Sequence, residues 1–215
     1  AAMMRALMTK TLFVLSILLS AQAFAFDVGG FSYTVVPGTS DVFVEGCPAG
    51  PCSSSDIVIP DAVVDSGITY SVTRIQGSAF YQNALTSVII PDSVEYIGGY
   101  AFANNALTSV IIPDSVDTIT NLAFAENNAL SSAAFEGNFG TFSADMFDDN
   151  PILSTITYDE GATGWSGVAF NNGTTDIPAT SISSAATPVP AAPLWLLGIM
   201  AGLLSLLGMS KLRKT

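Results

Sequence analysis

The chain has 215 residues, 18 of them acidic and 6 basic, with no histidine and a formal net charge of −12. All the acidic residues lie between Asp27 and Asp176, and Arg74 is the one basic residue in that span. Such a surface repels polyanions and speaks first to solubility, so nucleic acid and phosphate-rich partners are disfavoured. The missing histidine also removes Ser-His-Asp and Cys-His catalysis.

In chain order, Arg5 and Lys10 precede an apolar run over 12–19, and Ala23-Phe24-Ala25 offers small residues at the two positions a signal peptidase reads. This predicts a signal peptide over 1–25 cleaved after Ala25, because the run is too short for a span of about 20 apolar residues. A cap is expected over 26–55. Residues 31–36 and 41–44 alternate like the paired strands of an N-terminal β-hairpin, with Pro37-Gly38-Thr39-Ser40 as the turn and the solenoid's open end beneath it. Cys47 and Cys52 are the only cysteines, and outside the cytoplasm a disulfide closing Cys-Pro-Ala-Gly-Pro-Cys is the default. A zinc site would need four ligands and a redox pair a Cys-x-x-Cys, so no metal or redox role is expected.

From 56 to 170 the sequence repeats. Residues 84–94 and 106–116 are identical over 11 positions at a spacing of 22, the mark of a stacked repeat. Ile75, Ile97 and Ile119 recur in phase, as do Phe80, Phe102 and Phe124, and Leu85 and Leu107 with Leu130 one residue late. Units of this size cannot bury an apolar face alone, so they must stack into one core. Val88/Ile90 and Val110/Ile112 point inward against Ser87/Ile89 and Ser109/Ile111, giving parallel strands in register that end at Pro91 and Pro113. Residues 72–75, 94–97 and 116–119 suggest a second strand per coil, after an insertion at 64–70. The Ala-Phe-x-x-Asn segment reads as a short helical or 3₁₀ turn. Asn83, Asn105 and Asn150, with Asn127 or Asn128, stand where a cap wants a residue tolerant of the left-handed region.

The repeat resembles the BspA-type leucine-rich repeats of bacterial surface proteins over 56–158, with asparagine where many members carry cysteine. The resemblance implies a mainly β fold, a right-handed solenoid of short parallel strands used for binding, with no catalytic motif to carry over.

The motif decays toward the end, as a capping coil does. Leu130, Ala133, Phe135 and Phe139 hold the core places in one coil, and Phe142, Phe147, Leu153, Ile156 and Tyr158 in the next. Trp165 and Phe170 are placed over the last coil, with a sugar-stacking platform as the other reading of Trp165. Residues 171–193 have the composition of an extended linker. The apolar stretch 194–209 would be a helix about 24 Å long, short for a hydrocarbon core of about 30 Å, and Lys211, Arg213 and Lys214 behind it favour the cytoplasmic side. Pro188-Val189-Pro190, the short transmembrane helix and the basic end resemble a PEP-CTERM-type sorting signal of Gram-negative bacteria, although glutamate is missing from the usual Val-Pro-Glu-Pro. That implies processing by an exosortase and display at the cell surface or in the exopolysaccharide, with membrane anchoring through 194–215.

For chemistry, Asp145, Asp148, Asp149, Asp159 and Glu160 are glycosidase candidates by residue type alone, without a constellation of nucleophile, base and orienter. The expected binding face is the outward side of the strands, with Val58, Ser87, Ile89, Ser109, Ile111, Ser132, Ala134, Thr155 and Thr157 along it and Asp61, Asp92 and Asp114 at its margin. The acidic margin favours a neutral or cationic partner, and calcium is the one cofactor to consider, since clustered carboxylates supply its oxygen ligands. These readings add up to a secreted, non-catalytic protein that binds extracellular protein or glycan. A matrix component without a discrete ligand is the alternative, and a glycoside hydrolase the distant one.

Overall fold

The computed structural model describes residues 23–182. The apolar run at 12–19, Pro188, Val189 and Pro190, and the stretch 194–215 lie outside the described residues. Ala25, the expected cleavage position, is the first residue of a strand.

That strand is β1 (Ala25–Val28), followed by β2 (Phe31–Val35) and β3 (Asp41–Gly46) in an antiparallel meander. The chain then coils, laying down a front strand and a back strand in most turns. These are β4 (Asp56–Val58), the hairpin β5 (Ala62–Asp65) and β6 (Ile68–Ile75), β7 (Ser87–Ile89), β8 (Tyr96–Ile97), β9 (Ser109–Ile112), β10 (Thr118–Ile119), β11 (Ser132–Phe135), β12 (Thr141–Phe142) and β13 (Thr155–Asp159). A last antiparallel pair, β14 (Ala169–Asn171) and β15 (Asp176–Ile182), closes the front.

The back sheet runs β1-β2-β3-β6-β8-β10-β12, with β5 also paired to β6. The meander therefore extends the back sheet edge to edge through the parallel β3–β6 ladder, and its Phe31 ring also stands edge-on to Phe80, over the first coil. Gly46 makes the junction possible. Its φ is 123°, and a Cβ there would lie 2.0 Å from the Ala79 carbonyl oxygen. The insertion at 64–70 forms the β5–β6 turn, where Ser66 and Gly67 both have positive φ, 50° and 83°, as a type I′ hairpin turn requires.

The front ladder comes in two blocks, β4-β7 and β9-β11-β13-β15-β14. Between β7 and β9 the coils are joined by Ala106 N to Leu85 O at 2.8 Å and Thr108 N to Thr86 O at 3.4 Å. The break falls between the two identical 11-residue stretches, so side-chain identity is not its cause.

Two expectations need correction. There is no helix among the described residues, and the Ala-Phe-x-x-Asn segments are runs of turns instead. The reason lies in the amides. Ser78 N and Phe80 N donate to Gly99 O and Ala101 O of the next coil, Phe102 N to Ala123 O and Phe124 N to Met146 O. A helical turn would have directed those donors back along its own strand of chain, and the stack claims them first. The left-handed residues are also one position earlier than expected: Gln82, Asn104, Glu126 and Asp149, with φ of 55–57°, while the asparagines that follow do other work. The second correction is at 171–193. Residues 176–182 are not linker but strand, because Ile177 is buried, Ala179 is half-buried, and β15 pairs parallel with β13. The Ser/Thr/Ala/Pro composition that reads as linker conceals this pattern.

The core is built of columns. Leu85, Leu107, Leu130 and Leu153 form one, and Ile75, Ile97 and Ile119 another, all buried. Phe80, Phe102, Phe124 and Phe147 form a third, with ring centroids 5.3, 5.3 and 5.7 Å apart. Phe31 and Phe170 close its two ends edge-on, each at 89°. The Tyr33 hydroxyl is buried without a hydrogen-bond partner among the described residues, and burial pushes its pKa up to about 12.

Candidate binding face and its supports

The front face inherits its order from the interior. Asn105 Oδ1 accepts from the Asn83 and Leu85 amides, and its Nδ2 donates to Phe80 O, Phe102 O and Ala103 O. Asn127 repeats this one coil on, accepting from Leu107 N and donating to Phe102 O, Phe124 O and Ala125 O. Asn150 accepts from Asn127 N and donates to Phe124 O and Phe147 O. Each of these amides ties the turn before a front strand to the coil beside it, which fixes where the strand begins. Of the pair left open at 127/128, Asn127 is the rung. Asn172 ends the ladder, donating its Nδ2 to Leu153 O and accepting at its Oδ1 from the Thr174 and Thr175 amides.

The cap joins the same ladder. Cys47 and Cys52 are disulfide-bonded, and Cys52 N donates to Asn83 Oδ1 at 2.6 Å, in the place Asn83 N takes on Asn105. The closed loop thus occupies the position of a preceding coil.

Outward from these anchors, Asp56 pairs with Ser87, and Ser109, Ser132 and Thr155 follow one another in the second block. Ser87 Oγ and Thr86 Oγ1 both donate to Asp56 Oδ1 at 2.8 Å, and these two hydrogen bonds hold the Asp56 carboxyl below its ordinary range. The parallel row holds Val58 and Ile89, then Ile111, Ala134, Thr157 and Thr180. Val58, Ile89 and Ile111 are 61%, 60% and 56% exposed. Ala134 and Thr157 are half-buried, so the strip is apolar and exposed over the first three coils, recedes at Ala134 and turns hydroxylic from Thr157.

Along its margin Asp61, Asp92 and Asp114 are exposed. The margin also includes Glu136 and Asp159, which extend it to the last coils. Glu136 follows Phe135 as Pro91 and Pro113 follow their strands, and its carboxyl is raised by burial first and then by Asp92, Asp159 and Asp114. Despite this, no three or more His, Cys, Asp or Glu side chains among the described residues are grouped as metal ligands. The glycosidase candidates divide between two places. Asp145, Asp148 and Asp149 share the turn before Asn150, where burial and then the other two raise the Asp148 carboxyl and Asp145 accepts a bond from Ser143 Oγ. Asp159 stands with Glu136 at the end of the front strands.

Trp165 is 2% exposed. It lies flat on Tyr158 at 4.9 Å and 4°, and its Nε1 donates to Gly137 O at 3.0 Å. With its face covered it seals the last coil and offers no sugar platform.

The family described as BspA type Leucine rich repeat region matches residues 52–176 in six copies. No curated protein matches the chain. Among solved structures, a leucine-rich repeat protein from Bacteroides capillosus is 22% identical with a TM-score of 0.45, the match covering 74% of this chain and 98% of that one. The Pneumococcal vaccine antigen PcpA is 14% identical with a TM-score of 0.38, covering 64% of this chain and 42% of its own. A leucine rich cell surface protein from Faecalibacterium prausnitzii is 14% identical with a TM-score of 0.26, covering 76% and 78%.

Proposed function

The chain belongs to the BspA-type leucine-rich repeat family, and on that premise we propose that it is an exported, surface-displayed protein that binds an extracellular protein or glycan through the outward front face. The observation that carries this reading is the strip of Val58, Ile89 and Ile111, each more than half exposed and placed by successive coils. Scattered exposed apolar residues mean little, whereas a contiguous strip rimmed by polar groups marks an interaction site, and solenoids bind along such surfaces. The acidic margin selects against polyanions and for a neutral or cationic partner. Export rests on the signal-like start through Ala25, and display on Pro188, Val189, Pro190 and the basic-tailed apolar stretch, which we read as an exosortase substrate held in the membrane until processed.

Ile89→Lys with Ile111→Lys, in the full chain displayed on cells, tests the face. Both side chains point to solvent, so circular dichroism and melting should match the parent. Attachment of the cells to immobilised matrix protein and glycan should fall by about tenfold, a loss of about 1.4 kcal/mol. Undiminished attachment by the folded double variant overturns the reading.

A further inference from the structure

The back face holds a second feature, one the front-face reading does not use. Arg74 is the only basic residue between Asp27 and Asp176, yet its guanidinium is not paired with a carboxylate among the described residues. Its Cζ lies 5.6 Å from the centroid of the Phe43 ring and 5.3 Å from that of Tyr96. The back ladder sets this up. Phe43, Arg74 and Tyr96 are partners on β3, β6 and β8, and Thr118 and Thr141 continue the same register on β10 and β12. The residues flanking this row in the strands, Val44, Ile75, Ile97 and Ile119, are buried, so the row itself faces outward. Arg74 is exposed and Phe43 and Tyr96 half-exposed.

The placement depends on a bulge. The β3–β6 register shifts between Val42 and Phe43, so Val42 faces Val72, Phe43 faces Arg74, and Thr73 is the extra residue. Without that insertion Phe43 would oppose Thr73 and the arginine would leave the row. Bulges of this kind re-aim side chains.

We propose that this row is a binding platform for a neutral polysaccharide lying along the stack. The guanidinium lies over both rings, and the parts of this stack left exposed offer apolar surface for pyranose rings together with donors for their hydroxyls. Neighbouring strands are about 4.8 Å apart, an interval close to the length of one sugar unit in an extended chain. Successive rings can then meet successive rows, two aromatic and one guanidinium, before the hydroxyls of Thr118 and Thr141. Glu45 and Gln76, two residues beyond Phe43 and Arg74 on the same side, add acceptors and an amide. The surrounding acidic surface selects the class, because it repels a polyuronate or sulfated chain while leaving a neutral one unaffected.

The test is electrophoresis of the purified full chain through native gels containing soluble β-glucan, galactomannan or alginate. Retardation is expected in at least one of the two neutral gels and none in alginate. Arg74→Ala should weaken that retardation by about tenfold, and Ile89→Lys with Ile111→Lys should leave it in place, which separates this platform from the front face. Arg74→Lys keeps the charge but not the flat fork, and it decides the matter should the alanine variant fail to fold. No retardation in either neutral gel, retardation by alginate alone, or undiminished retardation of the folded lysine variant each overturns the proposal.

Discussion

From Asn83 to Asn127 the rungs of the asparagine ladder are 22 residues apart, each coil contributes one phenylalanine to the column, and neighbouring rings lie within about 10° of parallel. Beyond Asn127 the next rung comes after 23 residues, the ring of Phe147 tilts by 30°, and the interior fills with Phe135, Phe139, Phe142, Tyr158, Trp165 and Phe170 packed at mixed angles. The first region has a coil on either side and can reuse one unit. The second has to finish the stack, and large rings that pack in many orientations fill the irregular space a final coil leaves. The outward row changes across the same boundary, from Val58, Ile89 and Ile111 to Ala134 and Thr157. Interior repetition and exterior chemistry are therefore separable, and the apolar strip ends where the regular interior does.

Removing a rung should strain this contrast most. Asn127 is fully buried and serves both neighbours, so Asn127→Ala leaves Leu107 N dry at roughly 1–3 kcal/mol and removes one of the donors to Phe102 O, Phe124 O and Ala125 O at about 0.5–1.5 kcal/mol each. A loss of about 3–6 kcal/mol by chemical denaturation is expected. Asn83→Ala, at the half-buried first rung where the partners are Cys52 N and Tyr81 O, should cost about 1–2 kcal/mol. Equal losses would mean that the ladder is not graded from the cap inward.

Next comes the ring column. Phe102→Ala removes the middle of the parallel stack and should cost about 3–5 kcal/mol, a large share of the roughly 5–15 kcal/mol that stabilises a domain. Trp165→Phe keeps a ring in the irregular end but forfeits the bond to Gly137 O, for about 1–3 kcal/mol. Ser109→Ala, on the exposed row, should lie within about 0.5 kcal/mol of the parent. Thermal melts that ranked these three otherwise would reverse the assignment of inward and outward positions.

Much of this architecture is legible in the repeat. The 22-residue spacing places Leu85, Leu107, Phe80 and Phe102 in columns, and alternation along residues 87–90 and 109–112 separates exposed Ile89 and Ile111 from the core. What the repeat leaves unread is non-local. A segment such as Ala101-Phe102-Ala103-Asn104-Asn105 has the local look of a helical turn, and only the acceptors on the neighbouring coil decide against it. Likewise Asn105 and Asn127 mark their column by spacing, but their role depends on carbonyls about 25 residues away, beginning with Phe80 O and Phe102 O. β15 hides in a Ser/Thr/Pro composition, and the alignment of Arg74 with Phe43 needs a bulge that no pattern announces. The break between β7 and β9 separates identical sequences, so nothing in those residues could have foretold it.

The smallest effect concerns the margin where the two regions meet. Glu136 has its carboxyl raised by burial and by Asp92, Asp159 and Asp114, so the folded chain holds that proton more tightly than the unfolded chain does. Between the ordinary and the raised pKa the native state binds more protons, and stability therefore falls as pH rises through that window. At neutral pH the ionised group works against folding, by about half a kcal/mol at most once water and salt screen a partly exposed carboxylate. Glu136→Gln should then be slightly more stable than the parent at pH 7, with the gap closing as the pH falls into the carboxylate range. Asp56 pulls the other way, since its lowered carboxyl contributes stability that is lost on acidification, but it is common to both chains and cancels in the comparison. Denaturation midpoints of parent and variant across that range provide the check. A gap that stays constant with pH, or a variant less stable at pH 7, would show that Glu136 sits outside the field of its three acidic neighbours and that the acidic margin does not continue past the regular coils.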